Sequence, residues 1–463
     1  MDKFDVIVVG AGPAGEVVAG RCADGGLSVV LVERELVGGE CSYWGCVPSK
    51  TLIRPGDVLA AARRVPGASS TIVGGPDIAA AFAQRDYMTS GWSDESQLAW
   101  LRDHHITLAR GEGRLRGPRT VEVFGSDGQV RALSARRAVV LATGTRPAMP
   151  PIPGLADVEP WDNRDATAVK ALPRRLIVLG GGAIGVEMAQ AFRRLGSEQV
   201  SVAEAAPTLL AREEPFAGEE VRMALEAEGV ALLTGQAVQR VHRDHVDGPV
   251  VLELSTGHEL VGDELLVATG RRPATDHLGL DSVGLTPARY IEVDDQLRAV
   301  GVRGNWLYAV GDCNGRAQLT HMGKYQARIA ADVILGKDAQ DRASDSVVPR
   351  VTFTDPQVCA VGLTESQARD RGIEVRAVTF GTGEVAGAYT QGVGIRGTSK
   401  LVIDESRRVL VGATFTGPGV QELLHVATVA IAAGLPLDQL WHAVPAFPTV
   451  SEVWLRLLET YGL

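Results

Sequence analysis

A chain of 463 residues is longer than one hydrophobic core accommodates, so about two to four domains are expected. Apolar residues make up 45% and charged residues 22%, which excludes wholesale disorder, and a net charge of −10 disfavours nucleic acid, whose phosphates need clustered Lys and Arg. Five cysteines exclude a secreted disulfide framework; with no leader pattern after Met1 and no apolar run of the ~18 residues a membrane span needs, a cytoplasmic protein without a membrane partner is expected.

The first element is the continuous apolar run Asp5-Val6-Ile7-Val8-Val9, the pattern of a parallel strand covered on both faces. Gly10-Ala11-Gly12-Pro13-Ala14-Gly15 follows, then a helical segment over 16–25. This is G-x-G-x-x-G with a strand before it and a helix after it, the context in which glycines let the backbone approach a pyrophosphate at a helix N-terminus. A second strand over 28–32 ends at Glu33, placed to accept hydrogen bonds from a ribose diol.

Next comes Gly38-Gly39-Glu40-Cys41-Ser42-Tyr43-Trp44-Gly45-Cys46-Val47-Pro48-Ser49-Lys50, then a helical stretch from 49 to about 64. Cys41 and Cys46 are either a small redox-active ring or two buried structural thiols; Cys22, Cys313 and Cys359 stand apart from them. Residues 66–97 give no clear periodicity, and Trp92 and Trp100 read as packing residues. Residues 107–133 alternate like a β-meander. Residues 139–144 form a buried strand ending in Thr143-Gly144, and the proline-rich run 147–153 reads as a domain boundary.

A second strand–turn–helix opens at Leu176. Gly180-Gly181-Gly182-Ala183-Ile184-Gly185 repeats the fingerprint, a helix is expected over 186–195, and the next strand ends at Glu204. Two complete fingerprints imply two bound dinucleotides. Glu204 suits an unphosphorylated ribose and would repel a 2′-phosphate, so NAD(H) is favoured over NADP(H), with Arg193, Arg194 and Arg212 the cations that could reverse this. Residues 230–262 again read as a β-meander, 265–270 as a strand ending in Thr269-Gly270, and 307–312 as a short strand ending in Gly311-Asp312. Beyond residue 345 an antiparallel sheet with helices over 364–371 and 420–433 makes an α+β domain without a fingerprint of its own.

These motifs together resemble the pyridine nucleotide-disulfide oxidoreductases, or flavoprotein disulfide reductases, a family that includes glutathione reductase, dihydrolipoamide dehydrogenase, mercuric reductase and related quinone reductases. The resemblance covers essentially the whole chain and adds the segment Phe353 to Glu365 (FTDPxxxxVGLTE) to the motifs above. It implies an α/β fold with two Rossmann-like domains and a C-terminal α+β dimerisation domain. The parts would be residues 1–152 and 272–345 for FAD, 153–271 for NAD(P), and 346–463 for dimerisation, in a homodimer. FAD would be held by Gly10, Gly12, Pro13, Ala14, Gly15, Glu33, Gly39, Lys50, Thr143, Gly144, Gly311 and Asp312. The nicotinamide dinucleotide would be held by Gly180, Gly182, Ile184, Gly185, Glu204 and Gly270. Cys46 would face the flavin and Cys41 attack the substrate, with Lys50 and Glu187 as an ion pair near the reactive ring. No metal site is assigned.

One position departs from the family. Disulfide-reducing members carry His-Pro-Thr-x-x-Glu near the C-terminus, where the His is the acid/base and the Glu orients it. Here the segment is Phe447-Pro448-Thr449-Val450-Ser451-Glu452. Phenylalanine carries no proton, so Glu452, kept as a catalytic candidate, lacks its imidazole; His442 and His321 are the nearest substitutes. Tyr43 and Trp44, between the cysteines, either line the pocket or pack. The chain also ends without the extra cysteines of mercuric and larger thioredoxin reductases. The expected activity is hydride transfer from NAD(P)H to FAD, then to the Cys41–Cys46 disulfide and on to a small disulfide or quinone-type acceptor. The alternatives are a quinone reductase in which the cysteines are not essential, and a non-catalytic FAD- and NAD-binding redox sensor.

Overall fold

The computed structural model describes residues 1–245 and 248–463. Backbone contacts divide the chain into two units. The first comprises Met1–Pro48, Arg85–Arg146 and Arg271–Asp345; the second comprises Ser49–Gln84, Pro147–Gly270 and Ser346–Leu463.

In the first unit the strand Asp2–Val9 is central. It lies parallel to Val29–Glu33 on one side and to Val130–Leu141 on the other. Thr107–Arg110 and Leu307–Ala309 extend the parallel part, and Thr120–Phe124 and Glu112–Leu115 add an antiparallel flap. Val6, Ile7 and Val8 are fully buried: the helix Pro13–Asp24 packs on these strands, and the flap strand Glu112–Leu115 lies against Val9 and Val32, where a Cβ on Gly113 would meet both. The helix Pro13–Asp24 starts with proline at its first turn, where a missing N–H costs nothing.

The second unit repeats the design. Arg175–Leu179 lies parallel to Gln199–Glu204 and to Glu264–Val267, with Ala231–Thr234 at the edge. A small antiparallel sheet, Val238–Arg243, Val250–Leu254 and Glu259–Gly262, follows. The C-terminal part is a five-stranded antiparallel sheet backed by Leu424–Ala433 and Glu452–Tyr461. No helix of the described residues is long and apolar enough to cross a membrane.

Two expected meanders are corrected. Thr107–Arg110 does not join the antiparallel flap; it pairs in parallel with Val29–Glu33. Ala231–Thr234 likewise belongs to the parallel sheet, beside Gln199–Glu204. Each is a four-residue edge strand, too short for its own alternation to reveal its partner. The run 139–144 is the end of a longer strand, Val130–Leu141, that serves both the flap and the parallel core.

The glycines of the first turn are not equivalent. A Cβ on Gly15 would lie 1.9 Å from the Gly10 carbonyl oxygen, whereas one on Gly12 would meet nothing within 4 Å. Gly15→Ala should therefore force helix from strand and destabilise the fold by about 1–3 kcal/mol. Gly12→Ala, at φ −70°, should stay within about 0.5 kcal/mol of the parent. Thermal melting of the two variants checks this contrast.

Candidate active site

Both dinucleotide cradles are built by the same contacts. Gly10 (φ 101°) and Gly180 (φ 115°) take left-handed conformations, and their Cβ atoms would stand 2.5 Å from Ala142 O and 2.6 Å from Ala268 O. Gly12 and Gly182 cap their helices facing open space. Glu33 Oε2 accepts from Ala11 N at 2.8 Å and Oε1 from Glu35 N at 2.8 Å. Glu204 repeats this with Gly181 N at 2.5 Å and Ala206 N at 2.6 Å. Each carboxylate is thus fixed beside its glycine turn with lone pairs left for a ribose. A Cβ on Gly144 or Gly270 would also meet nothing within 4 Å. These open faces fit a diphosphate and its ribose in each cradle, so the residues present suit FAD in the first unit and a nicotinamide dinucleotide in the second.

Asp312 stands in the short turn Gly311–Asn314 after the strand Leu307–Ala309. Burial raises the pKa of its carboxyl, opposed by Thr145, whose hydroxyl donates to Asp312 Oδ2 at 2.8 Å, and by the positive charge of Arg271. Arg271 donates from Nε to Thr145 Oγ1 at 2.7 Å and from Nη2 to the Thr145 carbonyl at 3.1 Å, and it pairs with Glu40 at 3.4 Å. Gln326 Oε1, fully buried, accepts from Gly311 N and from Asn314 Nδ2, both at 2.8 Å, which pins the turn.

The cysteine segment rests on the first cradle. A Cβ on Gly39 would lie 2.6 Å from Gly12 Cα, and Gly38 N donates to Ala11 O at 2.8 Å. Cys41 sits in the short helix Gly39–Tyr43, and Cys46 is the first residue of Cys46–Arg63. The structure holds no disulfide among the described residues; the two thiols are hydrogen-bonded to each other. That bond, then burial, raises the pKa of Cys41. Thr320 opposes the rise, its Oγ1 3.3 Å from Cys46 Sγ. Cys46 is exposed and begins a helix, where peptide dipoles favour a thiolate. The other cysteines are buried, and loss of solvation pushes Cys22 and Cys313 up to about 12, which makes them inert.

Tyr43 does not line a pocket. It is buried, its hydroxyl donates to Val37 O at 3.0 Å, and Trp92 Nε1 donates to its carbonyl at 3.1 Å. Together they brace the cysteine segment from behind. Trp44 is half-buried with its ring 5.6 Å from that of Tyr43. Trp100 packs on Gly20 and on the His104 ring.

In the second unit Lys50 Nζ meets Glu187 Oε2 at 2.7 Å, and Glu187 Oε1 accepts from Phe353 N at 2.8 Å. Lys50 Nζ also lies 4.9 Å from the Phe353 ring centroid. Glu452 pairs with Arg456 at 2.7 Å through Oε1, while its buried Oε2 has no hydrogen-bond partner among the described residues. Phe447 is 76% exposed, and His442 and His321 are exposed as well. Arg193 donates to the carbonyls of Glu228 and Ser197, and Arg194 binds Glu228 and Asp355. Both are committed away from Glu204, and Arg212 is exposed.

Sequence reasoning missed Thr320, Thr145, Arg271 and Gln326. Thr145 and Arg271 each directly follow an Ala-Thr-Gly turn, a symmetry that could have marked them.

Two family models match the chain: pyridine nucleotide-disulphide oxidoreductase over residues 4–327, and the dimerisation domain of the same family over 348–457. A dihydrolipoyl dehydrogenase from Chlorobaculum tepidum is 34% identical over 461 residues, covering 97% of this chain and 95% of the relative. A mercuric reductase from Acidithiobacillus ferrooxidans is 35% identical over 466 residues, covering 97% of this chain and 81% of the relative. Among solved structures, the Cu(II) complex of the HOCl-induced flavoprotein disulfide reductase RclA from Escherichia coli superposes with a TM-score of 0.86 at 26% identity, covering 99% of each chain.

Replacing Thr320 by Val removes the hydroxyl beside Cys46. A hydrogen bond to a charged group contributes about 1.5–3 kcal/mol, so labelling of the pair by iodoacetamide at neutral pH should slow roughly tenfold. Time-resolved labelling with mass spectrometry checks this.

Proposed function

This chain belongs to the pyridine nucleotide-disulphide oxidoreductases and is an FAD-dependent enzyme of that family, and we propose that it passes electrons from NADH through Cys41 and Cys46 to an acceptor that needs no proton from the protein. Bound FAD supplies the two-electron relay between nicotinamide and disulfide. The chain's own residues do the rest. Gly10, Gly12, Gly15, Glu33 and Asp312 hold FAD, and Gly180, Gly182, Gly185 and Glu204 hold the nicotinamide dinucleotide. Cys46 receives the electrons, Cys41 hands them on, and Thr320 steadies the thiolate. Lys50 and Glu187 form the ion pair, 2.7 Å apart, for which the family resemblance implies the role of favouring negative charge on reduced cofactor.

The observation that carries the reading is the C-terminal segment. Phe447 cannot move a proton, and Glu452 is held by Arg456. Proton balance then separates the acceptors. Reduction of a disulfide, NADH + H⁺ + RSSR → NAD⁺ + 2 RSH, delivers protons to two sulfurs, and general acid help there is worth about 10²–10⁴-fold. Reduction of a thiophilic cation, NADH + 2 Cu²⁺ → NAD⁺ + 2 Cu⁺ + H⁺, releases a proton and asks for no acid. Soft thiolates select such ions, and the Cu(II) complex of RclA supports this class. A quinone-type acceptor, drawing electrons without the cysteines, is the second reading: NADH + H⁺ + quinone → NAD⁺ + hydroquinone takes up a proton as disulfide reduction does, so what supports it is that it needs no base for an attacking thiol.

NADH is favoured because Glu204 occupies the ribose position and Arg193 and Arg194 are engaged elsewhere. A homodimer is supported by the dimerisation-domain match and by the exposed Val426, Val429, Val444 and Phe447.

Anaerobic NADH oxidation with Cu(II), a benzoquinone and a small aliphatic disulfide tests the acceptor. Cu(II) turnover should fall at least about 100-fold in Cys41→Ser, and the disulfide should be a poor substrate of the parent. Rapid disulfide reduction, or Cu(II) turnover untouched by Cys41→Ser and Cys46→Ser, contradicts the reading. NADH should also exceed NADPH in kcat/KM by about tenfold or more, the effect of some 1.4 kcal/mol of like-charge contact. Parity between them would overturn the role given to Glu204.

A further inference from the structure

The brace behind the cysteines hangs on an unusual turn. Ser90, Gly91 and Trp92 follow one another with φ of 51°, 58° and 57°, all in the left-handed region. Glycine adopts that region freely; serine and tryptophan do so only where surrounding contacts offset the cost, and such residues gather at functional sites. Those contacts are present. Trp92 N donates to Thr89 O at 2.9 Å and Ser93 N to Ser90 O at 3.1 Å. Thr89 is buried, and its hydroxyl donates to Arg85 O at 3.0 Å. Arg85, fully buried, sets its guanidinium 5.3 Å from the centroid of the Trp92 ring and pairs with Asp86 at 2.7 Å. What the turn delivers is the indole N–H, which donates to Tyr43 O at 3.1 Å. That carbonyl lies in the short loop between Cys41 and Cys46. Tyr43 is anchored at its other end by the bond from its hydroxyl to Val37 O. The loop is also tight at Gly45, where a Cβ would lie 3.1 Å from Glu40 O and 3.3 Å from Cys41 Cα. The two sulfurs accordingly meet as hydrogen-bonded thiols with no covalent bond to hold them together.

We propose that Trp92 is a positioning residue for the redox pair: by fixing the Tyr43 carbonyl it keeps the loop closed while the cysteines are reduced, and so makes their disulfide harder to reduce. This builds on the role given above to Cys41 and Cys46 as electron carriers. The direction follows from chain freedom. Reduction, Cys41–S–S–Cys46 + 2 RSH → Cys41–SH + Cys46–SH + RSSR, releases a loop that the bond had closed. A loop still held at Tyr43 gains little freedom on release, so reduction is driven less far. Thiols kept in contact also re-form the bond readily, because each is present to the other at high effective concentration. Without the indole N–H the open dithiol gains freedom, and the equilibrium moves toward it.

The test equilibrates the holoenzyme anaerobically in thiol–disulfide buffers of graded ratio, made from glutathione and then from dithiothreitol. Quenching with iodoacetamide and mass spectrometry count free Cys41 and Cys46. Trp92→Phe keeps an aromatic ring beside Arg85 and removes the N–H. Loss of one neutral hydrogen bond should move the equilibrium about threefold to tenfold toward the dithiol, a rise in potential of about 15–30 mV. Trp100→Phe, the same change at a tryptophan that packs on Gly20, should leave it within about twofold of the parent. An equilibrium that Trp92→Phe leaves unchanged or moves toward the disulfide, or that Trp100→Phe moves as far, overturns the proposal and leaves the redox pair standing. A parent that forms no Cys41–Cys46 disulfide at any ratio contradicts the redox pair itself, and the role of Trp92 with it. If Trp92→Phe does not fold, hydrogen exchange on the parent decides. The backbone amides of residues 42–45 should exchange at rates within about tenfold of each other in the disulfide and dithiol forms. A larger acceleration on reduction would reveal a loop that springs open, and would overturn the proposal.

Discussion

The structure depends most on one backbone-to-backbone contact, Gly39 against Gly12. Neither residue has a Cβ, and one on Gly39 would stand 2.6 Å from the Gly12 α-carbon. With the hydrogen bond from Gly38 N to Ala11 O, this lays the cysteine segment directly on the first glycine turn. The first glycine turn and the cysteine segment are therefore one piece of backbone rather than two segments linked by side chains. Positive φ at Gly38 and Gly39 is what permits the approach. Tyr43, Trp92 and Asp94 hold the same segment from behind, Asp94 accepting from Val37 N at 2.9 Å and Arg110 Nη2 at 2.7 Å.

Around that contact the first unit is arranged as a chain of polar links. Asp312 is reached through Thr145, Thr145 through Arg271, and Arg271 through Glu40, the residue before Cys41. Every link is buried or partly buried, where a hydrogen bond is strong and a missing partner is costly. Cys46 has the Thr320 hydroxyl and a helix start beside it, and the proposed acceptor is one that asks for little proton traffic.

What the sequence made legible follows from how local each constraint is. Both glycine turns were readable because strand, turn, helix and terminal acid fall within about 30 residues, and each glycine answers a backbone demand. Gly15 and Gly185 would each place a Cβ 1.9 Å from a carbonyl oxygen, so no other residue serves. The edge strands Thr107–Arg110 and Ala231–Thr234 were misread because their partners lie outside any local window. Lys50 and Glu187 are 137 positions apart, and only the family resemblance pointed to their meeting. Thr320, 274 positions from Cys46, had no sequence pattern to announce it. Tyr43 carried two readings until its hydroxyl was seen to turn inward onto Val37 O.

In the proposed reaction, electrons must reach Cys41 and Cys46. Anaerobic titration of the oxidised holoenzyme with NADH counts them. If flavin and disulfide both fill, the parent should consume about two equivalents of NADH per chain and develop long-wavelength thiolate–flavin absorbance, while Cys41→Ser should stop at about one. A parent that stops at one equivalent, with both thiols already accessible to alkylation before NADH is added, would contradict a redox-active pair.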